Sequence, residues 1–196
     1  MSKSLKFLSL AVLFVAAAIG AYALGEYLRP KPAPAGTALD NPVAVTGLEL
    51  VDQHGTTVDL AADYDGDVTL VFFGYTRCPD VCPFTMARLE QAYVDAGEPD
   101  DLNVVMVSVD PGFDTPDVMG RYVERFHADF IGLTGSTSQV ATAARAFFAG
   151  YSGIGAAITH TDAVAVVDRD GMLRYVYTTD AMLSLGADLP GLLKRL

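Results

Sequence analysis

The sequence predicts an α/β fold, a central sheet of buried strands flanked by helices. Two continuous apolar runs carry that expectation. Val68-Thr69-Leu70-Val71-Phe72-Phe73-Gly74 and Val104 to Val109 have strand length and lack the alternation of a half-exposed strand, as strands covered on both faces do. Between them, Pro79 to Tyr93 places Val81, Phe84, Thr85, Arg88, Leu89 and Ala92 at helical spacing. Strands that alternate with helices in this way build a sheet with helices on its faces.

The remaining elements come in chain order. Gly47-Leu48-Glu49-Leu50-Val51-Asp52 and Thr57-Val58-Asp59-Leu60 flank Gln53-His54-Gly55, a β-hairpin with a turn signal at its tip. After the second buried strand, Thr115-Pro116-Asp117 opens a helix with a cap and a proline at the first helical position. It continues through Met119, Tyr122, Val123 and Phe126. Phe130-Ile131-Gly132-Leu133 is a short strand, and Thr137 to Phe148 is an alanine-rich helix opened by a threonine cap. Ala163 to Val167, the turn Asp168-Arg169-Asp170-Gly171 and Met172 to Tyr177 make a second hairpin, and Asp188 to Leu196 reads as a terminal helix. A closing antiparallel hairpin after alternating strands and helices is the arrangement of thioredoxin-like domains, here with an added N-terminal β-hairpin. In that layout Cys78 lies in the turn after the first buried strand, and Cys82 in the first turn of the next helix.

The N-terminal region is of another kind. Phe7 to Gly25 is nineteen residues without a charge, close to the about 20 that cross a bilayer as a helix. Lys3 and Lys6 precede it, which keeps residues 1–6 cytoplasmic and exports the rest of the chain. Residues 7–25 are therefore expected to form one transmembrane helix that holds the protein in a bacterial inner membrane. Ala21-Tyr22-Ala23 has the small-x-small form of a signal-peptidase site, but the apolar run exceeds the about 7–15 residues of a signal-peptide core. Residues 26–41 contain Arg29-Pro30-Lys31-Pro32-Ala33-Pro34, which reads as an extended spacer. The globular domain is expected over 42–196, outside the cytoplasm.

Charge divides along the same line. Residues 1–35 carry a balance of plus three, and the remainder nine basic against twenty-three acidic side chains. A domain this acidic, without a basic stripe, is not built to track a phosphate backbone, so no nucleic-acid partner is expected.

The chain has two cysteines, in Gly74-Tyr75-Thr76-Arg77-Cys78-Pro79-Asp80-Val81-Cys82-Pro83. Side chains four apart on a helix have Cβ atoms about 5–6 Å apart, whereas a disulfide wants about 3.5–4.5 Å. A regular helix does not close that bond easily, while a soft metal ion between two thiolates tolerates the wider gap. A disulfide formed where a loop runs into the helix stays open as the alternative. At a helix N-terminus the unpaired N–H groups favour a thiolate. Arg77 acts in the same direction if its side chain folds back, and Asp80 opposes it. Pro79 and Pro83 stiffen the loop.

Three histidines are present. His54 falls at a hairpin tip and His127 at the end of a helix, positions that satisfy a histidine without chemistry. His160 immediately precedes the strand Ala163–Val167, at a mouth that faces the cysteine loop in a thioredoxin-like layout. Two thiolates and one imidazole suit Cu(I), and also bind Cu(II) or Zn(II). Cys78, Cys82 and His160 are thus the candidate metal ligands.

The segment Gly74 to Pro83 resembles the signature of the SCO/SenC family of copper-binding, thioredoxin-like proteins. Asp110-Pro111-Gly112-Phe113-Asp114-Thr115-Pro116 is similar to that family's D-P-x-x-D-T-P segment. Gly132-Leu133-Thr134-Gly135, and His160 followed by a strand and Asp168-Arg169-Asp170-Gly171, complete four blocks in the family's order over residues 42–196. The resemblance implies a copper ion, as Cu(I) or Cu(II), held by Cys78, Cys82 and His160. It also implies delivery to the binuclear copper centre of cytochrome c oxidase subunit II, with other periplasmic copper chaperones or thiol reductases as further partners. The alternative function is a thiol–disulfide oxidoreductase, with Cys78 and Cys82 as the redox pair reducing the cysteines of that copper site. A thioredoxin-like peroxidase fits poorly: peroxiredoxins keep a threonine three residues before the reactive cysteine, and here Tyr75 and Pro79 hold those places. In one place the chain departs from the family pattern, because Thr159 stands where an aspartate usually precedes the histidine. Asp162 is the carboxylate that could substitute, sharing a side with His160 on an extended strand.

Overall fold

In a computed structural model, residues 3–28, 33–153 and 155–196 are described, and for 3–11, 26–28 and 156 the backbone alone. Two units result, residues 1–33 and 34–196. The first holds one helix, α1, Lys3–Leu28. Its side chains over residues 12–25 are exposed, Val12, Leu13, Phe14, Val15 and Ile19 among them. Among the described residues no helix is long and apolar enough to cross a membrane. The membrane span expected over 7–25 thus gains no support from the structure, and the side chains of 7–11 lie outside the described ones. Most of the Pro-rich stretch, 29–32, also lies outside the described residues.

The second unit is a thioredoxin-like α/β domain around one mixed sheet. Its strands are β1 (Thr37–Ala44), β2 (Glu49–Asp52), β3 (Thr57–Asp59), β4 (Val68–Gly74), β5 (Leu102–Ser108), β6 (Ile131–Thr134), β9 (Ala163–Val167) and β10 (Met172–Thr178), in the order β1-β10-β9-β4-β5-β6-β2-β3. A separate ribbon pairs β7 (Tyr151–Ser152) with β8 (Thr159–His160). β4 is buried along its whole length and runs parallel to β5 and antiparallel to β9. That double coverage is why its sequence is apolar without alternation. The helix α2, Val81–Asp95, makes the crossover from β4 to β5 and buries Cys82, Met86, Leu89 and Ala92. α3 (Pro116–Val123) and α4 (Thr137–Ala146) come next, and α5 (Thr179–Met182) and α6 (Leu185–Leu192) close the chain.

The structure departs from the sequence expectation in three places. Thr37–Ala44, whose first five residues were expected in the spacer, joins the sheet as an edge strand against β10. The register shifts between Ala38 and Val43, so Pro42 falls at an irregularity on an edge, where a proline removes no ladder bond. The cap of α4 is Ser136, not Thr137: its hydroxyl accepts from the Gln139 N–H, and the Gln139 side chain accepts from the Ser136 N–H, a reciprocal capping box. The terminal helix begins a turn earlier than Asp188, because Leu185, Leu189 and Leu192 form its buried stripe. Asp188 instead accepts a hydrogen bond from the Tyr177 hydroxyl at 2.8 Å. The N-terminal hairpin forms as expected, and its β2 strand also pairs antiparallel with β6 on the far edge of the sheet.

Candidate metal centre

The buried strand β4 ends at Gly74, and the chain turns through Tyr75 to Asp80 into α2. This is the loop that carries the cysteines. Gly74 is required there: a Cβ on it would stand 2.7 Å from Phe72 and 3.1 Å from both Cys82 Sγ and Met106 Cε. Any side chain at the strand end would therefore displace the Cys82 sulfur.

At the start of α2, Asp80 occupies the cap position but makes no side-chain cap bond. The sulfur of Cys78 takes that role, accepting from the Cys82 N–H at 3.4 Å. Burial pushes the Cys78 thiol up. The N–H groups of Asp80 and Cys82, the Cys82 thiol and the Tyr75 hydroxyl outweigh it and bring Cys78 below the ordinary thiol range. Asp80 therefore lowers this pKa through its backbone, whereas its carboxylate was expected to raise it. Cys82 is fully buried; burial pushes its thiol strongly up, against the Tyr75 N–H, and its neighbour Cys78 adds to the rise. Both cysteines are free thiols.

Arg77 does not fold back on Cys78. Its guanidinium pairs with Asp110 and lies 4.0 Å over the Phe113 ring. One residue earlier, Thr76 donates from N–H (3.1 Å) and hydroxyl to Asp114, which also accepts from the Ser108 hydroxyl at 2.6 Å. Asp114 is wholly buried, and three donors are what a carboxylate needs at such a place. The two aspartates of Asp110-Pro111-Gly112-Phe113-Asp114 thus grip the two residues that precede Cys78. The sequence marks this segment as a motif but not what it holds, because the contact spans some thirty-eight residues of chain.

His160 reaches the cysteines from β8. The β7–β8 ribbon pairs Tyr151 with His160 and Ser152 with Thr159; two-residue strands are too short to leave a pattern in sequence. The ring lies edge-on to Phe72 (5.8 Å) and Tyr75 (5.9 Å). Its Nε2 stands 3.2 Å from Cys82 Sγ, and its Nδ1 3.1 Å from the carbonyl oxygen of Thr161. A carbonyl only accepts, so in the neutral ring Nδ1 carries the proton and Nε2 directs its lone pair at the sulfur. The support expected from a carboxylate thus comes from a backbone carbonyl, which no residue type announces. Thr159, at the aspartate's place, pairs with the Ser152 hydroxyl at 3.1 Å. Asp162 does not bond His160; it accepts from Thr85 and Thr179.

The three sequence-predicted ligands therefore converge. Their ligand atoms all lie within 4.8 Å of one another. Metal–sulfur bonds of about 2.3 Å and metal–nitrogen bonds of about 2.0–2.1 Å put three ligands around one ion roughly 4 Å apart, so small side-chain rotations suffice. Two sulfurs and one imidazole are the donor set of a soft ion. The other histidines lie elsewhere. His54 is exposed at its hairpin tip. His127 packs against Tyr93 at 4.9 Å, with Glu98 and Asp129 each at 3.7 Å, a histidine satisfied by its surroundings.

Fold and site together define a class: a thioredoxin-like domain with paired thiols and an imidazole at the strand-to-helix turn. The chain belongs to the SCO1/SenC family, whose profile matches residues 38–184. It is 36% identical over 125 residues to the mitochondrial SCO2 homolog of Mus musculus, covering 59% of this chain and 49% of that protein. The chain spans about half the length of the curated relatives that it matches first. Among solved structures, apo Sco1 of Thermus thermophilus shares 38% identity at a TM-score of 0.71, over 82% of this chain and 98% of that one. Arabidopsis thaliana ScoI, solved with copper bound, shares 27% at a TM-score of 0.70, over 78% and 100%.

Proposed function

We propose that this chain is a copper-handling protein that binds one copper ion through Cys78, Cys82 and His160. The ion is cargo, passed by ligand exchange to the binuclear copper site of cytochrome c oxidase subunit II. The observation that carries the reading is the convergence of the three ligand atoms within 4.8 Å: two from a loop and the helix it enters, and one from a ribbon seventy-eight residues beyond Cys82. A copper-bound structure of a family member of the same fold supports it. The exchange has a physical route: Cys78 is half-exposed and the readier thiolate, so an incoming thiol meets the ion on that side, while buried Cys82 stays in place. In this reading the uncharged run Phe7 to Gly25 of the sequence is the anchor that holds the chain in a bacterial inner membrane, with the domain on its outer side. Copper chaperones and thiol reductases of the same compartment are its further partners.

Titration of the reduced chain with Cu(I) tests the proposal. One equivalent is expected to bind, and Cys78→Ser, Cys82→Ser and His160→Ala each to weaken it at least tenfold. Unchanged affinity in His160→Ala rules out the three-ligand centre. Extraction of membranes with alkaline carbonate tests the anchor, which fails if the chain is released.

The lowered pKa of half-exposed Cys78 favours a second reading, a thiol–disulfide oxidoreductase. That activity needs both cysteines but not His160. Dithiol reduction of a disulfide substrate that survives His160→Ala supports it, and loss with that variant refutes it.

A further inference from the structure

His160 sits in a short ribbon at the margin of the domain, yet its imidazole has to meet two sulfurs held in the core. The β7–β8 pairing alone does not determine how closely the ribbon lies on the cysteine segment. Two hydrogen bonds flank the histidine and join its segment to the cysteine elements. Two residues before His160, the Ile158 carbonyl accepts from the Tyr75 hydroxyl at 3.0 Å. Two residues after it, the Asp162 carboxylate accepts from the Thr85 hydroxyl at 2.8 Å. Their cysteine-side partners are placed with the same symmetry: Tyr75 is three residues before Cys78, and Thr85 three after Cys82. Tyr75, Thr85 and Ile158 are all buried, so neither bond is exchanged freely with water. The second carboxylate oxygen of Asp162 accepts from the Thr179 hydroxyl at 2.7 Å, which ties the same point to the start of α5.

We propose that these two bonds form a clasp that seats the third ligand, with Asp162 as a positioning residue that acts through His160 and Tyr75 holding the other end of the ribbon. The clasp rests on the copper reading only for its purpose; its existence is a property of the metal-free protein. It also gives Asp162 a role other than that of the family's aspartate: it positions the backbone on which the imidazole stands, rather than the imidazole itself. Thr85 is the cysteine-helix half of that bond. A carboxylate that bonds a threonine on the neighbouring helix fixes distance between segments, which a direct bond to the ring would not.

The test uses the reduced chain and two readouts. In the metal-free protein, amide hydrogen exchange over residues 150–161 is expected to quicken in Asp162→Ala and in Thr85→Val. The double variant should exchange no faster than either single one. Asp162→Asn, whose amide oxygen still accepts from Thr85, should stay near wild type. With Cu(I) set against a competing chelator, Asp162→Ala is expected to lower affinity about tenfold, as loss of support behind a metal ligand does. The same substitution made on top of His160→Ala should lower it no further. Tyr75→Phe, which removes the other bond and keeps the ring, should quicken exchange over the same residues; because that hydroxyl also faces Cys78, part of its loss of copper affinity should remain on top of His160→Ala. Unchanged exchange in both Asp162→Ala and Thr85→Val overturns the clasp. A further loss of copper affinity when Asp162→Ala is added to His160→Ala overturns action through the histidine. A wild-type chain that binds no copper refutes the copper reading instead, and the exchange data then decide the clasp alone.

Discussion

Gly74→Ala is the substitution that probes the site at its narrowest point. The added methyl would lie 2.7 Å from Phe72 Cε1 and 3.1 Å from Cys82 Sγ and Met106 Cε, against about 3.5–4.0 Å for relaxed contact. Phe72, Cys82 and Met106 are all fully buried, so the shift of up to about 1 Å has no free space to enter. Forcing a methyl into a closed core costs about 1–3 kcal/mol. The loss of chain freedom in the unfolded state returns about 0.4–1 kcal/mol. The net is about 1–2 kcal/mol of destabilisation, or a fall in Tm of roughly 2–8 °C for a domain of this size. Thermal unfolding of the reduced metal-free chain measures it by circular dichroism. Because Cys82 Sγ is one of the atoms displaced, Cu(I) affinity should fall with stability. A variant that melts at or above the wild-type temperature would show that Cys82 is not packed against the strand end, and the account of the loop would be wrong.

Two further predictions concern the thiols. Iodoacetamide should modify Cys78 in the folded chain with a midpoint below the about 8.5 of a free thiol, and should reach Cys82 only on unfolding, as peptide mapping across pH 6–10 would report. The depressed Cys78 pKa has a linked effect on stability, measured by urea unfolding of Cys82→Ser. Its contribution is present above the unfolded-state thiol pKa and is lost as pH falls through the folded value; a flat profile would refute the shift. Arg77→Ala should leave the Cys78 midpoint nearly unchanged, because that guanidinium faces Asp110 and Phe113. It should cost about 1 kcal/mol in urea unfolding, the scale of a partly exposed ion pair with a cation–π contact; a large rise in the midpoint would show that Arg77 acts on the thiol after all.

The parts legible in the sequence are those with a local physical signature. β4 and β5 announce themselves as unbroken apolar runs because each is covered on both faces, and α2 by its spacing. Cys78 and Cys82 are adjacent enough that their placement at a strand-to-helix turn comes from the elements around them. β1 was hidden because an edge strand tolerates the proline and irregularity that make it look like a spacer. The functions of Thr76, Asp114 and Ser108 were hidden because one carboxylate joins them across the fold. His160 shows the division within a single residue. Its type and its place before β9 nominate it as a ligand from sequence alone. Its tautomer, its support by the Thr161 carbonyl and its approach to Cys82 exist only once the ribbon lies against the cysteine segment. By itself, the sequence determines which donor atoms are available and in what local frame. Tertiary structure decides their convergence, since distances between segments some eighty residues apart are set by packing and by buried hydrogen bonds, which leave no periodic trace along the chain.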